Sequence, residues 1–442
     1  MHSNPLFHSS FSPLKISVYG ILVWLLLFVM APLQTTIPVN NDAILFLILS
    51  YIALWLGFAI GKNFYLFRAV RKNDAEIQKQ QVTKLFYIVV ALAIMGTAIR
   101  LLEVFLLRGI SFSQGAMDNR VSMEESGYGM LSVISAILSS FGFLPIFIYY
   151  QFKMKKSFIW RFIALLLFFA PTLDILLLGS RSGVFVIVMM FCMYAIYFRK
   201  IRISPKRIVF IAGIAFIFLL FSTHIYVRRT VEFTGEDEVY KHILYRSSVN
   251  FTLEPTDNMA DALLNSKNRI EKYLYLSYFN VAQYYTHGIL EFFYLFDNFD
   301  NDHSLGSYTF IAYHKLFAQV FGLDPNIGYY STIQPRNGVY TSFFGPLYVD
   351  FEWGTLLFVL LFGFLQMRIF KLSKQGHHEY TPLYFYFLII DFFIPVFNFI
   401  NGAKGIYLIT SFVVFIFIYT LSMKKIILNS VGNKNIVLKI IS

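Results

Sequence analysis

Long apolar runs recur along the whole chain and are separated by short polar connections. A helix needs about 20 mostly apolar residues to cross roughly 30 Å of hydrocarbon. Ten runs approach or reach that length: residues 16–33, 43–60, 85–107, 130–150, 158–178, 183–198, 208–227, 354–369, 383–400 and 405–421. The pattern therefore predicts an all-α polytopic membrane protein with about ten transmembrane helices.

The composition agrees with a membrane protein. Of the 442 residues, 57% are hydrophobic and 14% are charged, whereas an average soluble domain is roughly 25% charged. A length that would suit about three soluble domains is therefore better explained by one membrane domain. The single cysteine, Cys192, rules out an intramolecular disulfide, a cysteine-based zinc site and a dithiol redox motif.

Lysine and arginine are concentrated in alternate connections. They cluster in residues 62–84, 153–161, 199–207, 368–374 and 424–439. Short connections rich in these residues face the cytoplasm, so we predict that both termini are cytoplasmic and that the N-terminal run is a retained signal anchor. The net charge of +12 then reflects topology. We expect no nucleic-acid partner, because the basic residues are not gathered on one soluble face.

One outer connection is far longer than the others. Residues 228–345 are too many for a simple turn, and they contain more acidic than basic side chains. We predict helices one to seven in residues 1–227, a large helical outer domain in residues 228–345, and helices eight to ten with a cytoplasmic tail in residues 346–442. No pair of matching broken helices of the kind found in inverted-repeat transporters is evident in the sequence.

Residues 272–296 of the outer domain have the spacing of a helix with a broad aromatic face. This face could anchor the helix at the membrane interface, or Tyr275, Tyr278 and Tyr285 could form a platform for sugar rings or a lipid tail. His287 and Glu291 lie one turn apart on the same helix. The carboxylate could orient the imidazole for proton transfer, or the two could be an ordinary exposed pair of little consequence.

Three arginines border the outer segments. Arg181 lies in the short Gly-Ser-Arg-Ser hairpin at residues 179–182, where backbone N–H groups would add to its own donors around a phosphate. Arg228 and Arg336 lie near the two ends of the long outer segment. Each of the three could equally be an interface residue whose charged head reaches the aqueous edge of the bilayer.

Ionisable residues also occur inside the apolar runs, where they are costly and usually functional or paired. Arg100 and Glu103 lie in the third run, and Asp391 lies in the ninth. Arg100 and Glu103 are expected either to form a structural ion pair or to line a polar cavity. No phosphate-binding glycine loop, HExxH or GxSxG motif is present in the sequence, so we expect no metal and no cofactor.

The layout and one short motif resemble a known family. About ten spans, cytoplasmic termini, a Gly-Ser-Arg-Ser-Gly hairpin and a large late outer loop are followed by Val-Tyr-Thr-Ser-Phe-Phe-Gly-Pro-Leu-Tyr-Val-Asp-Phe-Glu-Trp-Gly at residues 339–354. Together they resemble the Wzy-type oligosaccharide repeat unit polymerases of bacterial surface polysaccharides. The paired arginine–glycine loop motifs of some members are not evident, since Gly345 follows Arg336 at a different spacing.

The resemblance implies a glycosyltransferase of the GT-C type in the bacterial cytoplasmic (inner) membrane, with its active site facing outward. It would transfer a growing glycan from undecaprenyl pyrophosphate to the next lipid-linked repeat unit, and so build O-antigen (lipopolysaccharide) or capsule-type polysaccharide. Its implied partners are the undecaprenyl-pyrophosphate-linked oligosaccharide, membrane lipid, and a chain-length regulator and a flippase of the same pathway.

The charged residues singled out above fit that reaction, because fixed guanidinium groups stabilise a pyrophosphate leaving group and a positioned base helps a hydroxyl to attack. The candidates to hold the pyrophosphate are Arg181, Arg336, Arg100 and Arg228. The candidate bases are, in order, His287, Asp350 and Glu352. Two other classes stay open: an O-antigen-ligase-like glycosyltransferase, which differs in its acceptor, and a lipid-linked oligosaccharide flippase or other transporter.

Overall fold

The computed structural model describes residues 5–64, 75–111, 129–154, 157–173, 181–199, 238–402 and 404–432, together with single residues and short runs within 115–122 and 213–235. Its helices are, in chain order, Pro5–Ser10, Pro13–Met30, Asn41–Asn63, Ala75–Leu102, Met130–Ser140, Phe143–Gln151, Phe158–Phe169, Arg181–Arg199, Val239–Tyr245, Asp257–Asn265, Arg269–Asn298, Ile311–Val320, Ile327–Thr332, Phe344–Phe351, Thr355–Lys374, Thr381–Phe393 and Gly405–Gly432. A π-helical turn covers Glu103–Leu107, and 3₁₀ turns cover Ser248–Phe251, Glu352–Gly354 and His378–Tyr380.

Several helices can cross a membrane. Among the described residues, six stretches are long and apolar enough: Pro13–Met30, Asn41–Asn63, Gln80–Leu107, Met130–Gln151, Phe344–Lys374 and Gly405–Ser422. They correspond to the first four, the eighth and the tenth predicted runs, and the chain is therefore an all-α membrane protein. Shorter apolar helices coincide in part with the fifth, sixth and ninth runs: Phe158–Phe169, Ser182–Phe198 and Thr381–Phe393. Most of the seventh run lies outside the described residues, so the total of ten stays a prediction.

A separate helix, Phe344–Phe351, precedes the helix of the eighth run and extends the apolar stretch back to Phe344. Asp350 and Glu352 end the apolar run in the sequence, but the structure buries Asp350 completely. The backbone turns at Glu352, which has a φ of +49°, and the helix then continues as Thr355–Lys374. The outer domain predicted for residues 228–345 therefore runs directly into the helix Phe344–Phe351.

Local signals set where the first two spans begin. The hydroxyl of Ser12 accepts the backbone N–H of Lys15 at 3.4 Å, and Pro13 occupies the first helical position. The side chain of Asn40 accepts the backbone N–H of Asp42 at 2.7 Å at the start of the second span. Such caps satisfy N–H groups that have no partner inside the helix. Both helices can therefore begin at the edge of the apolar region.

Two spans pack backbone against backbone. A Cβ atom added to Gly57 of the helix Asn41–Asn63 would lie 2.2 Å from the carbonyl oxygen of Leu360 in the facing span. Gly61 and Gly363 make similar approaches, with added Cβ atoms 2.7 and 2.4 Å from backbone oxygens. Small residues at such positions let membrane helices approach closely. A larger side chain at any of the three has no room.

The predicted cytoplasmic ends of several spans contact one another. The side chain of Arg368 donates to the carbonyl oxygen of Phe64, which joins the ends of the second and eighth spans. The hydroxyl of Tyr384 donates to the carbonyl oxygen of Phe11, which joins the starts of the first and ninth runs. These contacts bring the helix ends together at one end of the bundle. The basic residues predict that the same helix ends lie on one side of the membrane.

A long helix, Arg269–Asn298, lies at the opposite end, and we call it the transverse helix. The hydroxyl of Tyr278 donates to the carbonyl oxygen of Met30, at the end of the first span. The carboxylate of Asp297 accepts from the amide of Asn40, at the start of the second span. The helix has 30 residues and is therefore about 45 Å long, enough to run across the ends of these spans.

The transverse helix confirms the helix predicted for residues 272–296. Four of its aromatic side chains are buried inside the protein, Phe279, Tyr285, Phe292 and Phe293, and Tyr278 is exposed. Gly288 lies so close to the turn after the ninth-run helix that an added Cβ atom would be 2.4 Å from the carbonyl oxygen of Val396. The helix is thus packed into the protein along much of its length.

A two-stranded antiparallel ladder ties the turn after the first span to the outer domain. Leu33–Thr35 pairs with Leu253–Pro255, and the backbone N–H of Thr256 donates to the carbonyl oxygen of Pro32 at 2.9 Å. A small separate core contains Val239, Ile243, Leu244, Met259, Ala260, Leu263, Leu276 and Phe279. The transverse helix contributes the last two, so it belongs both to this core and to the bundle.

Candidate functional site

An arginine–glutamate pair joins the transverse helix to the segment before the eighth span. Nε of Arg336 donates to Oε2 of Glu291 at 3.0 Å, and the hydroxyl of Thr252 donates to Oε1 at 2.8 Å. The side chain of Glu291 is 1% exposed and that of Arg336 is 19% exposed. The carboxylate is therefore buried with a partner on each oxygen, while the guanidinium reaches the surface.

Burial and pairing shift the pKa of the Glu291 carboxyl in opposite directions. Removal from water raises the pKa of this carboxyl above its usual value, while Arg336 and the Thr252 hydroxyl lower it, and burial is the larger effect. A buried charge is strongly unfavourable once its partner is removed. Glu291 therefore orients Arg336, and Arg336 in turn neutralises Glu291.

Aromatic contacts set the plane of the Arg336 guanidinium. Its central carbon lies 4.0 Å from the centre of the Phe251 ring and 5.9 Å from that of Tyr294. A cation over an aromatic face is attracted to it. Nη2 also donates to the carbonyl oxygen of Ser248. These two bonds use Nε and one hydrogen of Nη2, so the described residues leave both hydrogens of Nη1 and the second hydrogen of Nη2 for a ligand.

A cleft of about 530 Å³ opens beside Arg336, within the range of roughly 300–1,000 Å³ typical of ligand pockets. It is lined by the turn Ser248–Phe251, by residues 335–337 and by neighbouring side chains that include Arg246 and Glu254. Two guanidinium groups and an aromatic ring in one cleft suit a ligand that has both negative charge and the flat apolar faces of a sugar.

His287 lies one helical turn before Glu291 and is 2% exposed. Its Nδ1 lies 2.9 Å from the carbonyl oxygen of Gln283. Because a carbonyl oxygen only accepts, Nδ1 carries a hydrogen. The rings of His287 and Tyr340 lie 5.7 Å apart, centre to centre, which connects the imidazole with the segment that carries Arg336. The carboxylate of Glu291 faces Arg336.

Asp350 is placed elsewhere and holds a loop. Its side chain is fully buried, and its carboxylate accepts from the hydroxyl of Ser304 at 2.5 Å and from the backbone N–H groups of Tyr308 and Thr309 at 3.0 and 2.8 Å. Both oxygens are used by these bonds. The geometry assigns Asp350 to fixing the loop that precedes the helix Ile311–Val320, a role that the sequence did not suggest.

Glu352 lies near Asp350 but is exposed, and it approaches a histidine that sequence reasoning missed. Its Oε2 lies 3.6 Å from Nε2 of His303, and Nδ1 of His303 lies 3.0 Å from the carbonyl oxygen of Tyr348. No sequence spacing links residues so far apart. In the part of the chain that the structure describes, no group of three or more His, Cys, Asp or Glu side chains could hold a metal ion.

Arg100 belongs to a buried network within the third span. It donates to Oε2 of Glu103 at 2.8 Å, and Arg108 donates to Oε1 at 2.8 Å. The hydroxyl of Ser135 also donates to Glu103, and Ser132 accepts from both arginines. The structural ion pair is therefore the arrangement found for Arg100, and it includes a second arginine. Arg108 follows the π-helical turn Glu103–Leu107, and only its contact with Glu103 reveals its role.

Arg181 and Arg228 are not brought to the Arg336 cleft by any described contact. Arg181 begins the helix Arg181–Arg199, but its side chain and hairpin residues 179–180 lie outside the described part of the chain. Arg228 is an exposed helical residue near the start of the outer domain. Their proposed contacts with pyrophosphate stay predictions.

The three tyrosines predicted as a platform face different surroundings. The hydroxyl of Tyr275 donates to Glu271 at 3.2 Å, and that of Tyr278 donates to Met30. Tyr285 is 9% exposed, with its ring 5.9 Å from that of Phe393. Tyr285 is therefore part of the interior, and Tyr278 fastens the transverse helix to the first span.

Asp391 lies on the ninth-run helix Thr381–Phe393 and is completely buried. Oδ1 accepts from the side-chain amide of Gln366 at 2.9 Å. This hydrogen bond joins two helices inside the bundle, where a polar side chain has no water to bind. The described contacts of Asp391 are internal, and none of them reaches the Arg336 cleft.

No family of known proteins, no curated protein and no solved structure matches the chain. Its own architecture therefore defines its class. It is an all-α membrane protein with a helical domain at one end of the bundle, and a buried Arg–Glu pair beside a cleft in that domain.

We expect Asp350→Ala to destabilise the protein by roughly 3 kcal/mol, since it leaves two buried N–H groups and a hydroxyl without an acceptor. Thermal unfolding of the detergent-purified protein measures the change, and Asp300→Asn at an exposed position nearby is the control. Activity per folded molecule should stay within about twofold of wild type, because the lost groups hold a loop. If Asp350→Ala were as stable as wild type but inactive, Asp350 would again be a candidate catalytic base.

Proposed function

We propose that the chain joins undecaprenyl-pyrophosphate-linked oligosaccharide repeat units into surface polysaccharide on the outer leaflet of the bacterial cytoplasmic membrane. The observation that supports this proposal is the placement of Arg336. Buried Glu291 holds its side chain beside a cleft, and the cleft lies at the end of the bundle opposite the contact between Arg368 and Phe64. A lipid-linked donor is anchored in the bilayer by its own carrier, so its enzyme needs membrane spans and a polar site next to them. Both occur together in this chain.

The reaction requires a balanced group transfer. A hydroxyl oxygen of the acceptor sugar attacks the anomeric carbon of the donor glycan, and the bond from that carbon to the pyrophosphate oxygen breaks. The acceptor proton passes to a base, for which His287, one helical turn before Glu291, is the first candidate. The leaving pyrophosphate gains negative charge, which Nη1 of Arg336 and the guanidinium of Arg246 are suited to stabilise.

The Glu291–Arg336 pair favours Arg336 over the other predicted pyrophosphate ligands. A guanidinium that is already oriented loses little entropy when a ligand binds, and it needs no reorganisation as charge develops. Arg100 is 7% exposed inside the third span, where it and Arg108 share Glu103, whereas Arg336 lines the cleft. Arg336 is therefore the arginine whose removal should matter most.

The proposal requires the Arg336 end of the bundle to face outward. In a Cys192→Ala background, we expect cysteines at Ser266 and Asn337 to react with a membrane-impermeant maleimide on intact cells. A cysteine at Gln375 should react only after the membrane is permeabilised, because it lies in a short basic connection. The Cys192→Ala protein alone is the control for background labelling. Labelling of the Gln375 site but not of the other two would reverse the orientation and refute an outward-facing site.

The function itself is tested by the length profile of surface glycan. The source strain, a clean deletion of this gene and the complemented deletion are compared on a gel. A polymerase predicts loss of the long ladder while a single attached repeat unit is retained. Loss of every attached unit would indicate a ligase or a flippase instead, and an unchanged profile would refute a role in this polymer.

A further inference from the structure

A segment of the outer domain exposes a large apolar surface. Over residues 305–323 the exposed large apolar side chains are Leu305 (82%), Tyr313 (40%), Phe317 (57%), Val320 (64%), Phe321 (63%) and Leu323 (57%). Scattered exposed apolar side chains are ordinary, but a contiguous group usually marks contact with a partner or a membrane. This group belongs to neither the Arg336 cleft nor a predicted span.

The helix Ile311–Val320 arranges this surface on one side. Tyr313, Phe317 and Val320 follow one another at helical spacings of four and three, and the rings of Phe317 and Phe321 lie 4.4 Å apart. The small side chains Ala312 and Ala318 on the same helix are each 2% exposed, so the opposite side packs on the protein. The helix is therefore amphipathic with its larger apolar side uncovered by the described residues.

The position of this helix links its apolar side to the membrane-facing surface. The hydroxyls of Tyr313 and Thr410 lie 2.5 Å apart, and Thr410 is in the first turns of the span Gly405–Ser422. The helix also packs against Met130–Ser140, the start of the fourth span. Both spans have exposed apolar side chains near these contacts: Met130, Leu131, Val413 and Val414. Lipid must cover those side chains in a membrane.

We propose that the helix Ile311–Val320 lies in the plane of the membrane interface, with Tyr313, Phe317, Val320 and Phe321 inserted into the outer leaflet. An in-plane amphipathic helix buries its apolar side about 5–10 Å into the boundary between head groups and acyl chains. The lipid bilayer is the occupant because the apolar surface continues onto two spans that lipid already covers.

Insertion would also set the depth of the cleft. The chain runs from this helix through Ile327–Thr332 to Arg336, and the carboxylate of Asp350 holds the loop before the helix. A helix held at the head-group level would keep the cleft near the depth at which a lipid-linked phosphate lies. This last consequence rests on the proposed function, whereas insertion of the helix does not.

Environment-sensitive labelling tests the proposal. In the Cys192→Ala background, Phe317→Cys, Phe321→Cys and Leu323→Cys are labelled separately with a nitrobenzoxadiazole dye, and the full chain is reconstituted into liposomes. We expect a lipid carrying a nitroxide high on its acyl chain to quench these dyes at least about twofold more than aqueous iodide does. Ser266→Cys and Asn337→Cys are the matched polar controls and should be quenched mainly by iodide.

Two other results would overturn the proposal. Quenching of the Phe317 and Phe321 sites by iodide and not by the nitroxide lipid would place the helix in water. Protection from both quenchers would mean that a second protein copy covers the surface, because no other protein is present in the liposomes. Since neither readout involves polysaccharide, failure of the insertion proposal is distinguishable from failure of the proposed function.

Discussion

Arg336→Gln is expected to slow polymer elongation by about 100-fold or more, the usual loss when one fixed donor to a developing anion is removed. Glutamine is neutral and too short to replace a guanidinium that contacts Glu291, Ser248 and the Phe251 ring at once. The measurement is the rate at which the long glycan ladder appears after the gene is induced, normalised to the amount of folded protein. Arg336→Lys should be impaired as well, because lysine lacks the planar fork of donors.

A matched control separates catalysis from folding. Removal of Arg336 alone leaves the buried Glu291 carboxylate unpaired, which costs about 3–5 kcal/mol when such a pair is broken. The double variant Arg336→Gln with Glu291→Gln removes both charges and should recover most of that stability. If the double variant is folded and still makes no long polymer, Arg336 acts on the substrate. If polymer returns together with stability, Arg336 is only the partner of Glu291 and the pyrophosphate proposal is wrong.

Gly57→Leu is expected to destabilise the bundle by about 3 kcal/mol or more, at the upper end of the cost of overpacking. Even the first carbon of the new side chain would overlap the carbonyl oxygen of Leu360, at 2.2 Å. Backbone atoms in a helix cannot move aside as a flexible side chain can, so the two spans must separate. Size-exclusion profiles and thermal unfolding in detergent measure the loss of folded protein.

Ala59→Leu is the matched control for Gly57→Leu. It adds a comparable side chain two residues away on an exposed part of the same span, so its profile and melting temperature should match those of wild type. A Gly57→Leu protein that is equally monodisperse and equally stable would show that the second and eighth spans do not depend on this close approach.

The helices were predictable where the pattern was long and unbroken. The first four runs and the tenth appear as helical stretches close to their predicted bounds, and the spacing of residues 272–296 identified the transverse helix. The eighth run also agrees with a helix, Thr355–Lys374, but the separate helix Phe344–Phe351 before it was not predicted, because Asp350 looks like the end of an apolar segment. Its carboxylate is satisfied by Ser304 and by two backbone N–H groups, partners that no local pattern contains.

The site was predictable only in part. Arg336, Glu291 and His287 were all recognised as chemically interesting, and the spacing of His287 and Glu291 predicted either a pair suited to proton transfer or an exposed pair of little consequence. The structure buries Glu291 and pairs it with Arg336 and Thr252, which are 45 and 39 positions away in the chain. Arg108 and His303 were not recognised, because each acquires its meaning from a contact and not from a motif.

The apolar pattern by itself is enough to determine an all-α membrane protein, because a long apolar segment in hydrocarbon must satisfy its backbone internally and a helix does so. The pattern also locates the long connection of residues 228–345 and the helix within it. Only the tertiary structure decides which charged side chains meet, because desolvation and pairing depend on neighbours that are distant in sequence. In the tertiary structure, Glu291 orients Arg336 beside a cleft, and the Asp350 carboxylate binds the backbone of a loop. The apolar side of the helix Ile311–Val320 is exposed.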